Sequence, residues 1–249
     1  MSGHFRVVIP ARYDSSRLPG KPLLTFENKT IIEHVYLNAC ASEAKSVLIA
    51  TDDERIANTA AEFGAEVCMT SLKHMSGTDR LAEAVHAQGW EEEEIIVNVQ
   101  GDEPQMPAEN INQVAELLNH STWASMGTLC HGLSSIEEYK DPNIVKVVMT
   151  DTKHAMYFSR SPLPYLNEVN PKILQNSKVY KHVGIYSYRV KYLREFVSKK
   201  QSTLEKIERL EQLRALETGD EIIIDECIKV PGIGIDTMHD YHRLKTTSP

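Results

Sequence analysis

The chain is poor in cysteine. Its 249 residues hold four, Cys40, Cys68, Cys130 and Cys227, and no two form a C-x-x-C pair. Neither a zinc site nor a redox motif is signalled by that spacing. Scattered, apolar-flanked cysteines fit a reducing cytoplasm, where the free thiol behaves as a small core group. No apolar run is long enough to cross a bilayer, and the N-terminus lacks a signal-type apolar segment. The expectation is therefore a cytoplasmic protein without membrane insertion. Excess positive charge is also missing: the formal net charge is −8, which argues against a broad nucleic-acid footprint. No G-x-G-x-x-G follows the first apolar run, so a nicotinamide dehydrogenase has no phosphate fingerprint here. No Ser-His-Asp arrangement and no metal-ligating His pair is recognisable.

What is present is an ordinary globular composition, 41% hydrophobic and 25% charged, with length enough for a sizeable core. Strands and helices alternate through the first half. Strands are expected at Val7–Ile9, Val47–Ala50, Glu66–Met69 and Ile95–Val99, with helices at Thr30–Ala41, Glu54–Phe63 and Asp79–Ala87. Continuous apolar strands between amphipathic helices imply a mostly parallel sheet covered on both faces. Ligands of such sheets sit outside the carboxyl ends of the strands, so the loops after Ile9, Ala50 and Val99 should share one rim. The second half reads differently. Strands at Ile144–Val148, Ala155–Phe158 and Val183–Tyr188 predict a small antiparallel extension, and Ile222–Ile224 reads as a further strand. The Pro- and Asn-rich stretch between Phe158 and Val179 reads as an exposed loop, and Thr203–Leu216 as one amphipathic helix with Leu204, Ile207, Leu210, Leu213 and Leu216 on a stripe.

Chemistry concentrates in four places. The first strand runs into a loop carrying Arg12, Ser15, Arg17 and Lys21, a local positive site on an acidic chain. Backbone donors and fixed cations in such a loop suit a polyphosphate, although a solvated basic turn has the same composition. Asp102 ends the strand Ile95–Val99, and Asp236 follows a Pro-Gly-Ile-Gly turn. Either is suited to a turn or a helix cap. Together they would suit Mg²⁺, which takes one or two carboxylates and completes its shell with phosphate oxygens and water. Ser76, Thr78 and Arg80 open a helix whose free N-terminus offers donors to a base or ribose, or is simply capped. Arg160, His182, Tyr186, Glu211 and Gln212 are polar groups beside apolar strands, where an acidic sugar would find an Arg for its carboxylate.

With these residues in view, the chain resembles the 3-deoxy-manno-octulosonate (Kdo) cytidylyltransferases. The matching segments are IPARYDSSRLPGKPL, ATDDERIA, EVCMTSLKHMSGTDRLAE, IIVNVQGDEPQMP, YFSRSPLP, YKHVGIYSYR, LEKIERLEQLRAL and PGIGIDT, in order from Ile9 to Thr237. The resemblance implies a Rossmann-like nucleotidyltransferase fold in a single domain over 1–249, with a nucleotide-binding half over about 1–130 and a sugar-site and dimer-contact half over about 131–249. It also implies a homodimer that couples CTP to Kdo with Mg²⁺, giving CMP-Kdo and pyrophosphate for lipopolysaccharide biosynthesis. Carried over by residue, Arg12, Ser15 and Lys21 would hold the triphosphate. Ser76, Thr78, Arg80 and Gln100 would recognise the cytidine. Asp102 and Asp236 would ligate magnesium, and Arg160, His182, Tyr186, Glu211 and Gln212 would surround the sugar. Lys21, Arg12, Asp102 and Asp236 are the expected catalytic set. Leu166–Ser177 and Met238-His239-Asp240 depart from the pattern. An 8-amino-Kdo or sialic-acid cytidylyltransferase, or a non-catalytic nucleotide-binding protein, would share much of it.

Overall fold

Strand β1 (Phe5–Ala11) is the organising element, because both of its edges are paired in parallel. A computed structural model describes residues 4–15, 17–74, 76–168, 170, 174 and 178–247. After β1 come a short hairpin, β2 (Thr25–Phe26) and β3 (Lys29–Thr30), and helix α1 (Ile31–Cys40). Then follow β4 (Val47–Thr51), α2 (Glu54–Glu62), β5 (Glu66–Met69), α3 (Gly77–Gln88) and β6 (Ile95–Asn98). Strands β6, β1, β4 and β5 lie side by side in parallel. Their carboxyl ends form one rim, as the alternation of elements requires. The helix starts are locally encoded: Thr30, Asp53 and Ser76 each cap the following helix with a side-chain oxygen.

The second half joins the same sheet. Helix α4 (Ala108–Asn119) leads to β7 (Met126–Gly132), then β8 (Lys146–Met149), β9 (Ala155–Ser159), β10 (Tyr180–Arg189) and β11 (Ile222–Glu226). Sheet order is β11-β7-β10-β6-β1-β4-β5. Strand β10 runs antiparallel to both neighbours, and β8–β9 form an antiparallel hairpin against it. Alternation along the strands divides the core into two layers. Val7, Ile9, Ile49 and Val97 face α1, α2 and α4, whereas Val8, Leu48, Ile96 and Tyr188 face α3 and the helix Val190–Ser198. Each fully buried Val or Ile contributes about 1.5–3 kcal/mol relative to exposure.

Several expectations need correction. Residues 203–216 do not form one helix. Thr203–Glu208 and Leu213–Glu217 are separate helices, divided at Arg209 with φ 54°, in the left-handed region. The stripe therefore breaks: Leu210 and Leu213 are buried, but Ile207 is 72% exposed. The two pieces are fastened by a buried ion pair, in which Arg214 donates to both oxygens of Glu205 at 2.8 and 2.6 Å. Such a bidentate contact closes the second helix back on the first. Helix α4, strand β7 and the helix Val190–Ser198 were not expected, although Ile111, Val114, Ala115 and Leu118 recur at helical spacing and are buried. Glu94, in the acidic run 91–94, accepts from Arg6 and Lys45 at 3.0 and 3.3 Å. The expected loop between Phe158 and Val179 lies partly outside the described residues. In its described part Tyr165 is 84% exposed.

Replacing Arg214 with Met should leave the Glu205 carboxylate buried without its partner. A loss of about 3–5 kcal/mol is expected in urea unfolding. Adding Glu205→Gln to that variant should recover a large part of the loss.

Candidate active site

The rim at β1, β4 and β6 opens into a cleft lined by the basic loop, the start of α3 and the turn after β6. Arg12, Ser15, Arg17 and Lys21 come from the first, Ser76 and Arg80 from the second, and Gln100 and Asp102 from the third; Asp236 reaches it from the far end of the chain. The cleft therefore gathers residues more than 200 positions apart in sequence, among them Lys21, whose contact with Ile235 spans 214.

Lys21 is the hub of this convergence. Its ammonium donates to the Asp102 carboxylate and, at 3.2 Å, to the Ile235 carbonyl, and it lies 3.6 Å from an Asp236 oxygen. Arg17 completes the cluster with an ion pair to Asp236 at 2.8 Å. From the sequence, Arg17 is only one cation of the loop. The segment that carries Asp236 is fixed to the turn after β6 by main-chain contacts. Ile235 N–H donates to the Asp102 carbonyl at 2.8 Å, and Ile233 N–H to Gln105 Oε1 at 2.9 Å. Close approach needs glycine here: a Cβ on Gly232 would lie 2.1 Å from Gln105 Oε1, and one on Gly234 2.6 Å from Glu103 Oε1. Gln105 and Glu103 are thus site-building residues missed in the sequence, where only the flanking Pro-Gly-Ile-Gly turn was a signal. Burial, reinforced by repulsion from Asp102 and Asp236, pushes the Glu103 carboxyl up to about 8.

At the start of α3, Ser76 lines the cleft and forms a capping box with Asp79, its hydroxyl oxygen accepting from the Asp79 N–H. Arg80 is 3% exposed and is held by Asp52 at 2.5 Å and by Thr70. It ties the loops after β4 and β5 to the cleft wall. Thr78 turns away from the cleft and donates to Glu211. Burial raises the Glu211 carboxyl, against the hydrogen bonds from Thr78 and Ser76.

The remaining residues singled out in the sequence form a second group behind α3. Glu211 and Gln212 lie in the turn between the two short helices, delivered there by the break at Arg209. The His182 ring rests against Phe158 and Tyr186, with centroids 5.1 and 5.2 Å away, and one ring nitrogen is 2.9 Å from the Thr128 hydroxyl. Burial lowers its pKa to about 3, so the ring is neutral at working pH. The Tyr186 phenol is pushed upward by burial and then by Glu211. Arg160 stands apart. Its side chain donates to the Glu208 and Pro142 carbonyls at 2.9 and 3.0 Å, and its own carbonyl accepts from the fully buried Lys146 at 2.7 Å.

Among the described residues, no group of three or more His, Cys, Asp or Glu is arranged to hold a metal by itself. Asp102 and Asp236 nevertheless fit a hard cation. Both carboxylates already flank one positive centre, the Lys21 ammonium.

A family model described as Cytidylyltransferase matches residues 6–222. The 3-deoxy-manno-octulosonate cytidylyltransferase of Cellvibrio japonicus is 49% identical over 247 residues, covering 97% of this chain and 96% of the relative. That of Pseudoalteromonas atlantica is 47% identical over 245 residues, again with 97% and 96% covered. A solved CMP:2-keto-3-deoxy-manno-octonic acid synthetase complexed with CTP superposes with a TM-score of 0.88 at 38% identity and 98% coverage of both chains. A 4-diphosphocytidyl-2C-methyl-D-erythritol synthase, 10% identical with a TM-score of 0.64 and 98% and 99% coverage, shares the fold alone. The expected Rossmann-like nucleotidyltransferase fold is thereby borne out. The convergent cleft, the sheet that builds it and this near full-length similarity agree: the chain belongs to the cytidylyltransferase family, among the 3-deoxy-manno-octulosonate cytidylyltransferases.

Proposed function

We propose that this chain transfers CMP from CTP to the anomeric hydroxyl of 3-deoxy-D-manno-octulosonate, releasing pyrophosphate, in the service of lipopolysaccharide biosynthesis. The observation that carries the reading is the meeting of Lys21, Asp102 and Asp236 in one cleft, in a chain 38% identical to a synthetase solved with CTP. The hydroxyl oxygen attacks the α-phosphorus and gives up its proton to solvent water, while the bond from that phosphorus to the bridging oxygen of the pyrophosphate breaks. Positioning and electrostatics dominate such transfers.

Arg12, Ser15 and Lys21 hold the triphosphate in this reading, and the two cations neutralise charge as it builds on the leaving pyrophosphate. Ser76, Arg80 and Gln100 form the wall for the cytidine, and Thr78 supports that wall through Glu211. Cytidylyltransferases of this kind typically use a divalent metal. Here Asp102 and Asp236 would hold Mg²⁺, which when bound supplies positive charge to the phosphate oxygens. Tyr186, Glu211, Gln212 and a neutral His182 line the sugar side. Arg160 joins them with what its main-chain contacts leave of its guanidinium. No protein general base is needed. In the same reading residues of about 1–130 serve the nucleotide, and those of about 131–249 serve the sugar and the contact of a homodimer. Exposed Met156 and Ile207 offer apolar surface for that contact. No helix among the described residues is long and apolar enough to cross a membrane.

Pyrophosphate release from CTP and Mg²⁺ should require Kdo. Faster release with 8-amino-Kdo or sialic acid would reassign the sugar, and none with any sugar despite CTP binding would favour the non-catalytic alternative. Asp102→Asn should lower turnover by roughly 100-fold or more in a variant that still folds, since charge is lost beside the reacting phosphate. Near-normal turnover would remove Asp102 from the chemistry. His182 gives a pH test. Its folded pKa lies below the ordinary value of 6.5, so the unfolded chain binds the extra proton between about pH 6.5 and 3. Stability should thus fall with falling pH across that window, by at most roughly 1.4 kcal/mol per unit for this one group. His182→Gln should show a shallower decline in acid unfolding measurements.

A further inference from the structure

Four buried side-chain polar atoms have no hydrogen-bond partner among the described residues: His4 Nε2, Asn98 Oδ1, Glu211 Oε1 and Gln212 Nε2. Folded chains leave few such atoms, because each has lost its hydration without a replacement. Three of these four stand around one tyrosine. Asn98 is the cross-strand partner of Tyr186 in the β6–β10 ladder. The Tyr186 phenol is near enough to Glu211 to feel its carboxylate, and Gln212 is the next residue. Asn98 and Gln212 are 1% and 4% exposed.

The placement of Asn98 is set by the pleat. It shares a face with Ile96, and that face carries the layer that includes Val8, Tyr186 and Tyr188. Gln100, two residues on, lines the cleft. Asn98 is thus one step below the rim, in an otherwise apolar stretch of strand where a Leu or Val would pack at less cost. Its oxygen and that of Glu211 are acceptors, and the Gln212 nitrogen is a donor. Two acceptors and one donor, all desolvated, match a small molecule with several hydroxyls and a carboxylate.

We propose that Asn98 is a further substrate-contacting residue, whose side-chain oxygen accepts a hydrogen bond from a hydroxyl of the acid sugar in the second group, beside Tyr186, Glu211 and Gln212. The inference rests on the cytidylyltransferase reading above. It adds a residue of the nucleotide half to the recognition of the sugar.

The test compares wild type with Asn98→Leu, which keeps the size of the side chain and removes its polar atoms. Pyrophosphate release is measured while Kdo and CTP are varied in turn, and melting temperatures are recorded without ligand. The expected result is a KM for Kdo raised at least about tenfold, the loss of one hydrogen bond in a desolvated site. The KM for CTP should stay within about twofold on the same reasoning. The melting temperature should be equal to or above that of wild type, because an unpartnered buried acceptor is gone. Should Asn98→Leu not fold, Asn98→Ala is read in the same way for both KM values. An unchanged KM for Kdo in a folded variant overturns the proposal and leaves a buried water as the partner of Asn98. Equal rises in both KM values also overturn it, since they mark a role in shaping the sheet. If wild type itself uses no acid sugar, the underlying function fails, which is a separate result visible before any variant is made.

Discussion

One lysine holds this site in shape. The Lys21 ammonium binds the turn after β6 through Asp102 and the C-terminal segment through the Ile235 carbonyl, with Asp236 close by. Three distant stretches of chain are brought to one point by a single charged group. Two carboxylates this close repel each other unless a cation lies between them. In the free protein that cation is a side chain. The same arrangement explains why the 231–236 segment must hug the 102–105 turn so tightly that Gly232 and Gly234 have no room for a Cβ. Backbone bonds from Ile233 and Ile235 make the approach, and the charge cluster makes it worthwhile.

The sheet separates two kinds of environment. On the side of α1, α2 and α4 the buried layer is almost wholly aliphatic. On the side of α3 the aliphatic layer gives way, toward the rim, to His182, Tyr186, Tyr188, Thr128 and Asn98. Desolvation acts in the same direction on each titratable member: the imidazole is kept neutral, and the phenol and the Glu211 carboxyl are driven toward their protonated forms. This part of the wall therefore offers directed hydrogen bonds with little net charge, while the cleft carries fixed charge in the cation loop, Arg80 and the two aspartates. That division matches a reaction between a polyanion and a sugar acid, whose charged and hydroxylated parts need different surroundings.

Much of the first half was legible from its residues, because strands β1, β4, β5 and β6 are short apolar runs bounded by cap and turn residues. Glu66–Met69 is expected and found with the same bounds. The rim followed from the same alternation. The meeting of Asp102 with Asp236 did not, since spacing carries no information on how a segment 134 residues later returns; their chemistry suggested a shared cation, the resemblance to a known family strengthened it, and the geometry around Lys21 brings the two carboxylates together. The second half was harder for physical reasons. Strand β7 contains Gly127 and Gly132 and lacks a clean apolar run. The stripe over residues 203–216 is equally good for one helix or two, and the buried Arg214–Glu205 pair, a tertiary contact, decides for two. Where Glu211 and Gln212 point depends on that break, so their surroundings could not be read from periodicity.

The position of β10 has a consequence for how the molecule is made. This strand lies between β6 and β7 and closes the gap between them, yet both neighbours precede it by many residues in the chain. Until residues 180–189 have left the ribosome, β6 presents an open edge of unpaired backbone groups, and β7 has no place in the sheet. Completion is thus a late, long-range insertion, entropically slow and exposed to wrong pairings in the interval. The nascent first half, although it holds the parallel core, is a template with one raw side. Its protection during synthesis depends on how soon β10 arrives.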